Sequence, residues 1–302
     1  MKDISDKRVN ISLDNPSITF DKNKCDECSI CKNICKFNVG VYGFSKDDYP
    51  CINCGSCTLA CPNKCLSEKD ETDKLEEYLH SNKVIVMQTA PAVRVSLGEE
   101  FGMKLGTNVE GKMITALRTI GADYVFDTTF GADLTVMEEA SELVNRIKTS
   151  KNLPMFTSCC PSWVKFCEMF YPEYLDNLST CKSPISMMGS VINNYFCKIN
   201  NLKREDIISI VIVPCTSKKM EILRYNDIDL AITTRELAKY LKKEKEIFNI
   251  SFLSSNTVSV DIYNKEFKEE FKKVRGTKVK SSIKEYENNN YLYYYTKYKL
   301  IN

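Results

Sequence analysis

Five apolar runs along the chain have the length of buried strands, and helix-prone stretches separate them. The strand candidates are residues 84–87, 122–126, 153–156, 207–213 and 228–232. The helix candidates are residues 112–120, 133–149, 184–200 and 234–243, with Asp133 as the N-cap of the second. Apolar strands that alternate with helices predict an α/β domain with a largely parallel sheet, from residue 83 to about residue 250.

The segments on either side of this domain have a different character. Residues 1–20 form a polar leader without the apolar core of a secretory signal, and we assign them no role. Residues 67–82 are charged and predict a connector helix. Residues 251–302 form a divergent, truncated C-terminal segment, in which residues 288–295 suit a hairpin, an edge strand or a poorly ordered tail. No apolar run is long enough to span a bilayer.

Charge and cysteine content narrow the class of protein. The chain has 302 residues, with 42 Lys and Arg against 40 Asp and Glu, so its net charge predicts no nucleic-acid partner. It carries fifteen cysteines but a single histidine, which disfavours zinc or haem sites that need imidazole. Many thiols without a signal peptide indicate metal ligation in a reducing compartment.

Nine of the cysteines lie in a short stretch with an internal repeat. Cys25, Cys28, Cys31 and Cys35 have the spacing C-x2-C-x2-C-x3-C, and Cys51, Cys54, Cys57 and Cys61 repeat it. This spacing is typical of two-cluster ferredoxins, in which each run gives three thiolates to one [4Fe–4S] cluster and the fourth to the other. We therefore assign Cys25, Cys28, Cys31 and Cys61 to one cluster, and Cys51, Cys54, Cys57 and Cys35 to the other. A zinc ribbon would need two pairs without the duplication. Cys65 has no place in the pattern and is interpreted as a bystander.

A second thiol-bearing stretch, residues 157–163, follows the strand candidate 153–156. It holds the adjacent thiols Cys159 and Cys160, and Pro161 suits the first turn of a helix, whose N-terminus lowers a thiol pKa. A disulfide between neighbours is disfavoured, which leaves a metal ligand, a reactive thiol or a pair of buried small side chains. Residues 214–218 follow another strand candidate. Because chemistry in parallel sheets lies beyond the carboxyl ends of strands, both stretches are expected at one site.

These stretches resemble the signatures of the [FeFe]-hydrogenases from about residue 21 to about residue 248. The signature T-S-C-C-P-x-W matches residues 157–163, and M-P-C-x-x-K-x-x-E matches residues 213–221 with Val213 in place of Met. The resemblance implies an α/β catalytic domain with parallel sheets flanked by helices and two lobes around a cluster site. A small α+β ferredoxin-like two-cluster domain, residues 21–66, would precede it.

The resemblance also implies an active centre, the H-cluster, in which a [4Fe–4S] cubane is joined to a diiron unit. Cys160 and Cys215 would ligate the cubane, Cys159 would pass protons, and Lys218 would hold a cyanide ligand. The proton route would continue through Glu139, Ser179, Glu142 and Arg146. Without the resemblance, Glu142 and Arg146 would be interpreted as an ordinary exposed ion pair. Cys167, Cys181 and Cys197 are interpreted as core residues on helices.

The activity implied is 2 H⁺ + 2 e⁻ ⇌ H₂, with ferredoxin or a similar electron carrier and hydrogenase maturation proteins as partners. The family's third signature, E-x-M-A-C-x-x-G-C-x-x-G-G-G, is not matched, and no cysteine follows Cys215. The alternative is therefore a catalytically inactive relative that serves in electron transfer, redox sensing or partner binding. The duplicated ferredoxin run disfavours a eukaryotic iron–sulfur assembly relative. We expect no membrane or nucleic-acid partner and a cytoplasmic protein of anaerobic metabolism, with a hydrogen-producing organelle as the alternative.

Overall fold

The computed structural model of the protein describes residues 7–41 and 51–248. The strands are β1 (Ile18–Phe20), β2 (Leu66–Glu68), β3 (Val84–Thr89), β4 (Tyr124–Asp127), β5 (Ile207–Val213) and β6 (Leu230–Thr233). The helices are α1 (Ile30–Asn33), α2 (Ser56–Ala60), α3 (Thr72–Leu79), α4 (Val93–Glu100), α5 (Glu110–Thr119), α6 (Thr129–Thr149), α7 (Pro161–Phe170), α8 (Pro184–Val191), α9 (Cys197–Ile199), α10 (Lys218–Glu221) and α11 (Thr234–Phe248).

The N-terminal part is a small unit built around cysteines. Strands β1 and β2 pair antiparallel, with Ile18 opposite Glu68. Val9, Ile18 and Leu66 are buried and pack among the thiols of the two cysteine runs. The end of the polar leader therefore has a structural role, since it provides one of the two strands and part of the apolar packing.

The larger part contains a four-stranded parallel sheet in the order β4-β3-β5-β6. All seven residues of β5 are buried. Its alternate side chains face opposite ways, because Ile208, Ile210 and Ile212 belong to one apolar cluster while Val211 and Val213 belong to another. Burial on both faces explains the unbroken apolar run in the sequence.

Helices cover both faces of this sheet. Helices α3, α4, α5 and α11 contribute to the larger core with β3, β5 and β6. On the other face, Met188 of α8 packs with Val86 and Phe126, and the long helix α6 packs against α8. The predicted parallel sheet flanked by helices is confirmed. The second lobe that the resemblance implies stays a prediction.

Three predictions about elements were inaccurate. Residues 153–156 form no strand, because Leu153 is 43% exposed and only Phe156 makes an isolated bridge, to Leu178. Asp133 does not cap α6 but lies in its second turn, and Asp127 Oδ1 instead accepts from the first backbone N–H, that of Thr129. The helix predicted at 184–200 is α8 followed by a π-helical turn, Ile192–Phe196, and then α9.

The other strands and helices predicted after residue 83 are present near their predicted positions, whereas the connector before them is shorter than predicted. The connector helix is α3, shorter than the predicted 67–82 because β2 occupies the first residues. The prediction for residues 251–302 lies outside the described residues. Within residues 7–41 and 51–248, none of the helices has the length and apolar content needed to cross a bilayer.

Candidate functional site

The two adjacent thiols Cys159 and Cys160 stand at the start of a helix, as the sequence predicts. Cys160 is the N-cap of α7 and has an extended backbone, and Pro161 occupies the first helical position. Proline suits this position because its missing N–H would have no partner inside the helix. Both thiols are exposed. They are therefore not buried small hydrophobic residues, and the options of metal ligand and reactive thiol remain.

The third thiol of this site follows the central strand β5. Cys215 lies two residues beyond Val213, at the carboxyl end of the sheet, and its Sγ is 3.0 Å from Ser217 Oγ. Lys218 then begins the short helix α10. The chain runs from β3 to β4 at one edge of the sheet and from β5 to β6 at the other edge, so the connections diverge between β3 and β5. Open α/β sheets bind ligands beside such a point.

Lys218 joins the two thiol loops. Its Nζ donates to the carbonyl oxygen of Cys159 at 2.8 Å and to Glu221 Oε2 at 2.6 Å. Glu221 is itself held by the hydroxyls of Ser183 and Ser186, which come from α8 and the residue before it. The expectation that residues 157–163 and 214–218 share a site agrees with this geometry.

In the N-terminal unit, the four thiols predicted to share one cluster line a single cavity. Cys35, Cys51, Cys54 and Cys57 surround it together with apolar residues such as Val9 and Ile52. Burial raises the pKa of Cys35 to about 12, and the nearby charges of Cys54 and Cys51 add to the effect. Four thiolates in an apolar cavity need a cation to balance their charge, so a metal centre fits this donor set.

Three of the four thiols of the other predicted set pack in one apolar cluster with Cys65, a cysteine that the sequence pattern did not include. That cluster holds Cys25, Cys31 and Cys61, but it also holds Cys35, Cys51 and Cys57 of the first set, and Cys28 is exposed. Cys65 is buried, and its Sγ lies 3.1 Å from Cys61 Sγ. Burial raises the pKa of Cys65 to about 12, with the contact to Cys61 contributing next. The interpretation of Cys65 as a bystander is therefore incomplete, because it contacts a predicted ligand.

The arrangement of four thiols around one cavity suits an iron–sulfur cubane. A zinc ion would need all four sulfurs about 2.3 Å from one point. An iron–sulfur cubane instead takes one thiolate on each of four irons, so its ligands ring a cavity, as Cys35, Cys51, Cys54 and Cys57 do here.

The thiol-lined cavity lies beside the Cys215 loop. Gly55 follows Cys54 with φ +78°, and a Cβ built on it would be 2.7 Å from Thr216 Oγ1. On the other side, Lys165 of α7 donates through Nζ to Asn53 Oδ1 at 2.6 Å. Burial lowers the pKa of Lys165, and the nearby charge of Cys51 opposes that shift. The two thiol regions are thus in direct contact through Gly55 and Asn53.

The structure joins three of the four residues predicted for a proton route. Arg146 Nη2 donates to Glu142 Oε1 at 2.6 Å, and Ser179 Oγ donates to Glu142 Oε2 at 2.9 Å. Arg146 is buried and also donates to the carbonyl oxygens of Asp176 and Leu178. The interpretation as an exposed ion pair was therefore wrong. Burial opposes ionisation of Glu142, but the hydrogen bonds from Arg146 and Ser179 outweigh it and lower its pKa.

Glu139 lies one helical turn before Glu142 on α6. Its Oε1 is buried and has no hydrogen-bond partner. Burial, followed by the charge of Glu139, raises the pKa of Cys181 to about 12. Cys181 was expected in a helical core, but it precedes α8 in a loop and lines a groove of about 680 Å³ together with Glu138 and Glu142. Cys167 and Cys197 are buried on helices, as predicted.

These features define an α/β protein of the iron–sulfur class, with a cysteine site at the carboxyl edge of a parallel sheet. Residues 83–290 match the family "Iron only hydrogenase large subunit, C-terminal domain". The chain therefore belongs to the iron-only hydrogenase family, and the family inferred from the signatures is confirmed.

Individual relatives span hydrogenases and assembly factors. The NADP-reducing hydrogenase subunit HndD of Solidesulfovibrio fructosivorans is 40% identical over 267 residues, which cover 78% of this chain and 45% of that protein. The cytosolic Fe-S cluster assembly factor narfl of Xenopus tropicalis is 29% identical over 216 residues, covering 64% of this chain and 45% of that protein.

Among solved structures, an apo [FeFe]-hydrogenase HydA1 variant from Chlamydomonas reinhardtii matches with a TM-score of 0.58 and 33% identity, over 62% of this chain and 50% of that one. The chain thus spans about half the length of the relatives that it matches.

Proposed function

We propose that the protein is an iron–sulfur oxidoreductase of the hydrogenase family that catalyses 2 H⁺ + 2 e⁻ ⇌ H₂ with electrons from a ferredoxin or similar carrier. The observation that carries the proposal is the hydrogen bond from Lys218 Nζ to Cys159 O, which places the two signature loops at one site. The thiol-lined cavity beside that site supports electron delivery to it.

In this proposal the N-terminal unit holds two [4Fe–4S] clusters, which supply one-electron redox chemistry when bound. Cys35, Cys51, Cys54 and Cys57 hold one, and their common cavity supports that set. Cys25, Cys28, Cys31 and Cys61 hold the other. The contact of Gly55 with Thr216 puts the first set next to the Cys215 loop, so it is the inner of the two.

The active centre itself fits this chain only in part. Cys160 and Cys215 are available as two cubane ligands, and Cys159 is exposed next to them. Cys167 and Cys197 are buried on helices, and no cysteine follows Cys215. Within this sequence, Cys160 and Cys215 are the two thiols that match cubane ligands of the family signatures.

The chain's own residues support proton handling near this site. The carboxylate of Glu142 accepts from Ser179 and Arg146, and these hydrogen bonds hold its pKa below the ordinary value, so it is ionised at neutral pH and linked to both neighbours. Glu139 presents an unpaired buried oxygen one turn earlier on the same helix. We propose that protons pass between Cys159 and the surface along Glu139, Ser179, Glu142 and Arg146, since buried carboxylates and hydroxyls in sequence can relay them.

A second candidate is a catalytically inactive relative that uses its clusters for electron transfer, redox sensing or partner binding. A cytosolic Fe-S cluster assembly factor among the relatives supports this candidate. We place the protein in the cytoplasm, because its fifteen cysteines are free. If the protein is a hydrogenase, we propose hydrogenase maturation proteins as its partners.

Hydrogen evolution from reduced methyl viologen tests the two candidates, after anaerobic expression with the diiron maturation machinery. Iron is determined on the same sample. Activity that Cys159→Ser abolishes, at unchanged iron content, supports the hydrogenase. No activity with about eight irons per chain, the content of two [4Fe–4S] clusters, supports the inactive relative.

A further inference from the structure

Three polar side chains form a connected path from the hydrogenase domain to a thiol of the inner cluster. Lys165 Nζ donates to Asn53 Oδ1 at 2.6 Å, and Asn53 Nδ2 donates to Asn15 Oδ1 at 2.9 Å. Asn15 Nδ2 in turn points at Cys51 Sγ, 3.6 Å away. Every step runs in the same direction, so the path starts at an ammonium and ends on a sulfur.

The path is held rigidly. Asn53 is fully buried and Asn15 is 8% exposed. Asn15 Oδ1 also accepts from the backbone N–H groups of Ser17 and Ile18, both at 2.9 Å, and this fixes the orientation of its amide. The backbone N–H of Asn53 adds a second donor to Cys51 Sγ at 3.4 Å.

Lys165 brings a positive charge into this setting. It stands on α7, the helix that Cys160 caps, and its hydrogen bond goes to an amide rather than to a carboxylate. Its charge is therefore not cancelled by a direct ion pair at that contact. Hydrogen bonds to cluster sulfurs and nearby positive charge both favour the reduced, more negative state of an iron–sulfur cluster. Donors in series also polarise one another.

We propose that Lys165 and Asn53 are positioning residues that raise the reduction potential of the cluster held by Cys35, Cys51, Cys54 and Cys57. The inference rests on the proposed function, in that it requires this cluster. Through Lys165, the hydrogenase domain adjusts how readily the inner cluster accepts an electron. The step is a one-electron reduction in which no bond forms or breaks and the cluster gains one negative charge.

The experiment is a redox titration of the reconstituted full chain with dithionite and mediators, followed by electron paramagnetic resonance. We expect two one-electron steps in the native protein, and Lys165→Met to move one of them to more negative potential. Lys165→Arg, which keeps the charge, should retain most of the native value. Asn53→Gly should move the same step in the same direction. It keeps the backbone at φ +63° and the N–H to Cys51 but removes the side-chain path.

Lys203→Met is the matched control. Lys203 is an exposed lysine before the amino end of β5, at the opposite end of the strand from Cys215, so the same charge loss there should leave both steps unchanged. In the Asn53→Gly background, Lys165→Met should cause a smaller further shift than it does alone, because the path is already broken.

The two proposals fail in different ways. If reconstituted native protein shows no cluster signal, the cluster assignment itself is overturned. If the signals are present and both steps keep their potentials in Lys165→Met at full iron content, the role of Lys165 is overturned. Should Lys165→Met lose iron, Lys165→Gln, which keeps a donor without the charge, decides the matter, and an unshifted potential in that variant also overturns the inference.

Discussion

Lys218 reaches the carbonyl oxygen of Cys159 across 2.8 Å while it pairs with Glu221 at 2.6 Å. The side chains of Lys218 and Glu221 are only 14% and 5% exposed. One ammonium thus holds the two thiol loops together from a largely buried position. The contact makes the geometry of Cys159 dependent on a residue 59 positions later in the chain.

Removal of Lys218 should destabilise the protein. Lys218→Met leaves the carboxylate of Glu221 buried without its cation, which typically costs about 3 kcal/mol of unfolding free energy. Urea unfolding of the anaerobic protein measures the change. The double variant Lys218→Met/Glu221→Gln removes both charges and should recover much of the loss. Equal destabilisation in the single and double variants would contradict the pairing.

A methyl group at Gly55 should disturb the contact between the two thiol regions. Gly55→Ala places a Cβ 2.7 Å from Thr216 Oγ1 and imposes a positive φ on alanine, for which about 1 kcal/mol is typical. Gly106→Ala is the matched control, because Gly106 has φ +80° and nothing within 4 Å of its added Cβ. Thermal unfolding should therefore show a larger loss of stability in Gly55→Ala than in Gly106→Ala. Adding Thr216→Ala to Gly55→Ala should make that loss smaller. Equal losses at the two glycines would show that Thr216 imposes no constraint.

Cys181 should make stability depend on alkaline pH. Its folded pKa is raised to about 12 by burial and by the charges of Glu139, Glu138 and Glu142, against an ordinary value of 9.0. The unfolded thiol ionises first as pH rises, so the contribution of Cys181 is fully present below pH 9 and is lost progressively toward pH 12. The free energy of unfolding, measured with urea from pH 7 to pH 10, should fall less steeply in Cys181→Ala than in the native protein. Parallel profiles would mean that the native thiol ionises as readily as an unfolded one.

Cys65 should not be required as a cluster ligand despite its contact with Cys61. Cys65→Ala should keep about eight irons per chain, whereas Cys61→Ala should lose up to about four, the content of one cluster. Iron and acid-labile sulfide determination on anaerobically reconstituted protein compares them. Loss of iron from Cys65→Ala with retention in Cys61→Ala would reverse the assignment of the two thiols.

Most of the architecture was predicted from local spacing and periodicity. Residues 207–213 were predicted as a strand from their unbroken apolar run and form β5 with the same ends, because burial on both faces demands that pattern. The run at 153–156 was misleading, since a strand also needs a partner and only Phe156 has one. Apolar runs of this length do not by themselves reveal their neighbours.

The family, the parallel sheet and the four thiols that line one cavity were all predicted from the chain, because signatures, strand periodicity and ligand spacing are local properties. The burial of Arg146, the contact of Cys65 with Cys61 and the contact of Lys165 with Asn53 became apparent in the folded protein. The last of these contacts joins residues 112 positions apart. The contact of Lys165 with Asn53 depends on how the two parts of the chain pack against each other, and no local pattern encodes that packing.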